Sequence, residues 1–254
     1  MCTLSIFRQP TQTIITMNRD EARNRYEANI IKQVNNNTIQ FFYPIDQLST
    51  GTWFGFNNYG IVLALLNGYH QPHTDNAKSR GCIIPSLLKF DNLRQIEQKI
   101  DILLQHNFNP FDLVYTDTTR VIKFNWNGTN LLKDELSLQY TSNPQAYMFS
   151  SSSVDTQNIL SKRADIFSAF RSNNAAYLDN PEYILSNLHL QQDNSDSSGS
   201  ILMSRFETHT KSISQIVMNN KKLDYYYIDE TQMAINSKLL PYRKCHHKNI
   251  NLKS

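Results

Sequence analysis

Cys2-Thr3-Leu4-Ser5-Ile6-Phe7 alternates apolar and polar positions as a short strand, and Arg8-Gln9-Pro10-Thr11-Gln12 has the composition of a turn. Thr13-Ile14-Ile15-Thr16-Met17 reads as the return strand, which ends in Asn18-Arg19-Asp20-Glu21. A hairpin of this length brings its end back beside its beginning, so the polar quartet is expected next to residue 2. A cysteine directly behind Met1 becomes the amino terminus once the initiator is removed, and one residue then carries both a thiol and a free α-amine. Such an amine titrates near roughly 7.7 to 8.0 and can take the thiol proton without a separate histidine. A neighbouring carboxylate, Asp20, can hold the amine, and a neighbouring arginine, Arg19, favours thiolate over thiol. Cys2 is therefore a candidate amino-terminal nucleophile.

Composition sets the bounds. The chain has 254 residues, 40% of them hydrophobic, enough for a sizeable core. No shift in composition marks a boundary, and residues 1–254 read as a single domain. The formal charge of +3 is mild and its cations are scattered, which argues against nucleic acid as a partner. Cysteines at positions 2, 82 and 245 make an odd count without paired spacing, which suits a reducing compartment, and a cytoplasmic location is expected. No apolar run reaches the about 18 residues of a membrane span. Cys245-His246-His247 lacks the two-and-two spacing of a closed zinc site and reads as a solvated tail, so no metal and no cofactor is expected.

Further along, Trp53 to Asn58 and Gly60 to Asn67 read as a hairpin turning at Asn58-Tyr59, its second run almost wholly apolar. Leu93, Ile96, Ile100, Leu103 and Leu104 share one helical face, and so do Ile159, Arg163, Ile166, Phe167 and Phe170. Phe111 to Thr116 and Val121 to Trp126 form another strand pair. Ser212 to Met218, Asp224 to Ile228 and Met233 to Ile235 are expected to end the chain as antiparallel strands. Two batches of strands separated by helices give an α+β order. Asn35-Asn36-Asn37 reads as a turn, and Gln191 to Ser200 as a loop.

Four stretches together resemble the NRDE family, the group that contains the transport-and-Golgi-organisation protein. These are Met1-Cys2-Thr3, Asn18-Arg19-Asp20-Glu21, Gly51-Thr52-Trp53-Phe54-Gly55 and Ser79-Arg80-Gly81. The segment from Gly55 to Asn67 also resembles a Gly-x-Asn-x-x-Gly hairpin and strand of the choloylglycine hydrolases and penicillin V acylases. The resemblance implies an N-terminal-nucleophile hydrolase fold, a four-layer αββα sandwich. It implies that Asn67 helps to form an oxyanion hole, that Asp20 is the carboxylate beside the amino terminus, and that Arg19, shifted by one position, stands for the arginine beside the nucleophile. Ser151 falls where both groups usually show an asparagine, and Lys211 where NRDE proteins show an arginine. A serine hydroxyl does not reproduce an amide's fork, and lysine keeps the charge but loses bidentate recognition.

The expected catalytic residues are thus Cys2, Arg19, Asp20 and Asn67, with Asn18, Arg80, Ser151 and Lys211 expected to bind substrate. The expected activity is an acyl-enzyme hydrolase acting on a non-peptide linear amide or a thioester, its ligand a small acyl compound or a lipid-like molecule. The resemblance also implies an alternative: a non-enzymatic protein that keeps the fold and binds or transfers lipid, acyl-CoA or haem. His70 and His73 flank a turn just after Asn67 and are read mainly as loop residues, and Cys82 as a packing thiol.

Overall fold

A computed structural model describes residues 2–69, 73–136, 144–193, 195–236 and 245–253. The chain runs β1 (Cys2–Arg8), β2 (Thr13–Ala22), β3 (Glu27–Asn36), β4 (Ile39–Asp46), β5 (Phe54–Asn57), β6 (Val62–Asn67), α1 (Ile83–Leu87), α2 (Leu93–Leu103) and β7 (Phe111–Thr116). It continues through β8 (Val121–Trp126), β9 (Leu131–Glu135), β10 (Gln145–Ser151), α3 (Thr156–Asn173), α4 (Pro181–Ile184), β11 (Thr208–Met218), β12 (Lys222–Asp229), α5 (Glu230–Asn236) and β13 (His246–Asn251). Two compact units result. One combines Met1–Asn24 with Tyr140–Ile250, the other Arg25–Gln139 with Asn251–Ser254.

The first unit is built on a six-stranded sheet in the order β10-β1-β2-β11-β12-β13. The β10–β1, β1–β2, β2–β11 and β11–β12 pairs are antiparallel. The opening hairpin therefore lies inside the sheet, which is why β1 and the first eight residues of β2 are almost wholly buried. Phe7 and Ile14 pack with Phe167 and Phe170 of α3 and with Leu178, Ile184, Leu188 and Ile201. A second cluster joins Ile213, Ile228, Leu185, Leu190 and Met233. After α4 the chain makes a π-helical turn over Leu185–His189, closed by Leu190 N–H donating to the Leu185 carbonyl at 2.9 Å.

The second unit is a seven-stranded antiparallel sheet in simple chain order, β3 to β9. Leu63, Leu65, Leu113, Tyr115 and Phe124 of its strands bury against Ile83, Ile84 and Leu87 of α1 and Ile96 and Ile100 of α2. Asn92 caps α2 by accepting from Gln95 N–H at 3.0 Å. The expected β5–β6 hairpin is present, and Asn57 explains its motif. Its Oδ1 accepts from the backbone of Tyr59 (3.0 Å) and Ile61 (3.2 Å), its Nδ2 donates to the carbonyls of Leu88 and Phe90, and Gly60 takes a φ of 73°. Of the Asn-rich stretch read as a turn, Asn35 and Asn36 instead end β3, paired with Gln40 and Ile39, and only Asn37, left-handed at φ 53°, lies in the turn to β4.

Two expectations differ from the structure. Met233 to Ile235 belongs to helix α5, not to a strand. Asp229 and Gln232 form a reciprocal capping box: Gln232 N–H donates to Asp229 Oδ1 at 2.9 Å, and Asp229 N–H donates to Gln232 Oε1 at 3.1 Å. That Asp-x-x-Gln signal outweighs a short apolar run. Residues 246 and 247 are not a free tail, because they open β13; His247 Nε2 lies 3.0 Å from Asp224 and its ring stacks on Tyr226 at 4.7 Å. The strands β3, β4, β9 and β10 were not assigned from sequence at all.

Candidate active site

Strand register assembles the centre of the first unit. Cys2 stands opposite Ser151 of β10 on one side and Arg19 of β2 on the other, and Arg19 in turn stands opposite Ser212 of β11. Residues directly opposite one another in a sheet project from the same face. Ser151, Cys2, Arg19 and Ser212 thus form one row across four strands, all buried. The Cys2 N–H donates to Ser151 Oγ at 3.1 Å. That nitrogen becomes the α-amine once Met1 is removed, so Ser151 touches the group in question. The Arg19 guanidinium reaches Glu21 Oε2 at 3.3 Å.

The neighbours one residue along this row project from the opposite face. Asp20 is 1% exposed; its Oδ1 accepts from Thr210 Oγ1 at 2.7 Å and its Oδ2 pairs with Arg163 Nη2 at 3.0 Å. Arg163, from the middle of α3, also donates through Nη1 to Thr3 Oγ1 (2.7 Å) and Ser150 Oγ (3.0 Å). The helical face that carries it is legible in sequence as a shared stripe with Ile159, Ile166, Phe167 and Phe170. A charged residue inside such a stripe was the available signal, because an arginine with no exposed surface requires a buried partner.

Electrostatics around the thiol run against the expected activation. Burial pushes the Cys2 thiol above its ordinary value; the positive amino terminus and Arg19 pull the other way, and Asp20 and Glu21 add to the rise. Arg19 pulls the thiol down in the expected direction, but with Met1 in place desolvation of a thiolate at 6% exposure outweighs both Arg19 and the nearby ammonium.

Lys211 occupies a β-bulge, the extra residue between Thr210, opposite Asp20, and Ser212, opposite Arg19. Its Nζ donates to the Arg23 carbonyl at 3.1 Å and pairs with Glu230 Oε2 at 2.9 Å. Asn18 lies one residue from Arg19, but its amide is spent inside the protein. Nδ2 donates to the carbonyls of His189 and Ile201, both at 3.0 Å, and Oδ1 accepts from His189 Nδ1 at 2.7 Å. With Nδ1 as donor, His189 Nε2 is the acceptor for the Ser5 hydroxyl at 2.7 Å. This Ser5–His189–Asn18 chain has no exposed surface, and burial pushes His189 down to about 3, which keeps it neutral. Sequence reading missed it, since its members lie 171 and 184 residues apart.

The remaining expected residues belong to the second unit. Asn67 ends β6, half-buried, and its Nδ2 donates to the Tyr69 hydroxyl at 3.2 Å. Arg80 is a strut: Nη1 donates to the Pro110 carbonyl at 2.6 Å. Cys82 is half-buried against the core beside α1, its Sγ donating to the Ser79 carbonyl at 3.1 Å. His73 Nε2–H donates to the Gly68 carbonyl at 2.6 Å, whereas His70 lies outside the described residues.

Comparisons with known proteins agree on the fold. The family model described as Transport and Golgi organisation 2 matches residues 1–238. No curated protein sequence matches the chain. Among solved structures, the chain is similar to the Caenorhabditis elegans N-acylethanolamine-hydrolyzing acid amidase ortholog at 13% identity and a TM-score of 0.52, covering 85% of this chain and 92% of that one. It is similar as well to a mutant of the conjugated bile acid hydrolase from Clostridium perfringens, at 11% identity and a TM-score of 0.50, covering 100% and 97%. The α+β fold with its two large antiparallel sheets is thus of the N-terminal-nucleophile hydrolase type.

Proposed function

The chain belongs to the Transport and Golgi organisation 2 family, and from that premise we propose that it is an acyl hydrolase whose nucleophile is Cys2 after removal of Met1. The observation that carries this reading is the row Ser151–Cys2–Arg19, which sets a hydroxyl on that residue's nitrogen and a cation beside its thiol, with the Asp20 carboxylate close by on the opposite face of the sheet. The α-amine takes the thiol proton, the thiolate attacks an acyl carbonyl, and the amine returns the proton to the departing nitrogen or sulfur. Water then attacks the acyl-enzyme, giving up its proton to the amine, and frees the acid. Asp20 orients the amine, and Ser151 accepts a hydrogen bond from it. The two solved proteins named above act, by their titles, on N-acylethanolamines and conjugated bile acids. The substrate class proposed here is a non-peptide acyl amide or an acyl thioester.

Incubation of the Met1-free chain with a panel of acyl amides and thioesters, followed by acid quench and mass analysis, tests this. Acylation confined to Cys2 and abolished in Cys2→Ala is the expected result. Absence of any Cys2 adduct, with turnover equal in the variant, would sink it. Burial of the thiol, together with the engagement of Lys211 by Glu230, favours a second reading: ligand binding or transfer without hydrolysis. In that case an acyl or lipid-like molecule is retained and released intact.

A further inference from the structure

We propose that Arg163 is a positioning residue for the amino-terminal base: by pairing with Asp20 it keeps that carboxylate from trapping the Cys2 α-amine as a permanent ammonium. The inference rests on the reading of Cys2 as an amino-terminal nucleophile and deepens it. Its three partners are each one residue removed from the Ser151–Cys2–Arg19 row. Thr3 follows Cys2, Ser150 precedes Ser151, and Asp20 follows Arg19. The guanidinium therefore spans three adjacent strands on the face opposite the thiol, and Arg163 and Asp20 have essentially no exposed surface.

The chemical consequence follows from charge. A lone buried carboxylate beside a free amine stabilises the protonated amine and disables it as a base. A carboxylate already paired at 3.0 Å with a guanidinium presents the amine with a pair of no net charge, which can orient it by hydrogen bonding without holding its proton. The other charged groups facing this point are Arg19 and Glu21 of β2, Arg205 from the segment before β11, and Lys211 in the bulge. Arg19 pairs with Glu21, and Lys211 with Glu230, so the Asp20–Arg163 pair is the contact through which α3 acts on the base.

The test reads the amine directly and needs no substrate. The full chain is released from an amino-terminal fusion by a protease that leaves Cys2 first, labelled with 15N-cysteine, and the Cys2 amine resonance is followed against pH. Arg163→Met, which keeps the volume and removes the charge, is expected to raise the midpoint by one pH unit or more; Arg163→Lys is expected to leave it within about half a unit. An unmoved or lowered midpoint in a folded Arg163→Met overturns the proposal. Should that variant not fold, the Asp20→Asn/Arg163→Met pair buries no lone charge and takes its place. Its midpoint is expected within about half a unit of the parent, and a shift of a full unit overturns the proposal. A chain that never acylates, yet whose amine responds in this way, would fail as a hydrolase while this coupling stands.

Discussion

At the scale of single residues, the consequence of burying Cys2 is measurable. In the chain that retains Met1, Cys2 is 6% exposed and its thiol is raised, whereas Cys82 and Cys245 are only partly buried. Iodoacetamide near pH 7 is expected to alkylate Cys2 slower than either by about tenfold or more, a ratio read from peptide masses over a time course. Removal of Met1 is expected to narrow that gap, since the amine then becomes a base in contact with the thiol. Cys2 labelling first in the Met1-bearing chain would show that burial does not control it. Asn67 offers a cleaner separation of roles. Its side chain's one described hydrogen bond goes to Tyr69, so Asn67→Ala is expected to lower stability by about 1 kcal/mol or less. Loss of an oxyanion donor would slow acyl transfer by about 10² to 10³. Turnover per folded molecule, measured on the same preparation as melting, decides between a packing amide and a catalytic one.

At the scale of elements, the π-helical turn after α4 ties itself to the sheet through a neutral histidine. His189 is pushed down to about 3 in the folded chain, against an ordinary value near 6.5 when unfolded. Below about 6.5 the unfolded chain binds a proton that the folded chain refuses. The stability from this group is complete above that pH and declines as pH falls towards 3, by roughly 1.4 kcal/mol per pH unit. Melting at pH 7 and pH 5 is expected to show that decline, and His189→Gln is expected to flatten it while costing about 1 to 3 kcal/mol at pH 7. An unchanged slope in the variant would place the acid sensitivity elsewhere. Elements also show which sequence signals prevail. The capping box at Asp229 and Gln232 fixes α5 through two hydrogen bonds from backbone N–H to side-chain oxygen, and a run of three residues offers a strand nothing comparable.

At the scale of the whole molecule, the opening hairpin is completed only by chain that follows residue 143. Its strands β1 and β2 pair with β10 and β11, and Leu4, Ile6, Phe7, Ile14, Ile15 and Met17 are at most 1% exposed. Without those partners Phe7 and Ile14 would lose the α3-side cluster that covers them, and both strand edges would be open. A chain ending at residue 139 is therefore expected to aggregate or to leave residues 2 to 22 unprotected in hydrogen exchange. A soluble monomer with slowly exchanging amides in that stretch would refute this. The same pairing over long sequence separations predicts refolding in milliseconds to seconds instead of microseconds.

The sequence by itself determined whatever depends on short separations. The hairpin β1–β2, the turn organised by Asn57 and Gly60, the α2 stripe, the β7–β8 pair and the α+β order were all legible, because period and turn chemistry act within about twenty residues. Asp20 and Arg19 beside Cys2 were legible for the same reason, and family resemblance extended the reading to Ser151 and Lys211. Tertiary structure alone decided what lies around that row. It set Arg163 against Asp20 across 143 residues, joined His189 to Ser5 across 184, and turned Asn18 inward to serve that histidine. Local pattern carries no trace of such pairs, because a buried charge or imidazole is located by the partner that compensates it, and the partner is chosen by the packing of helix on sheet.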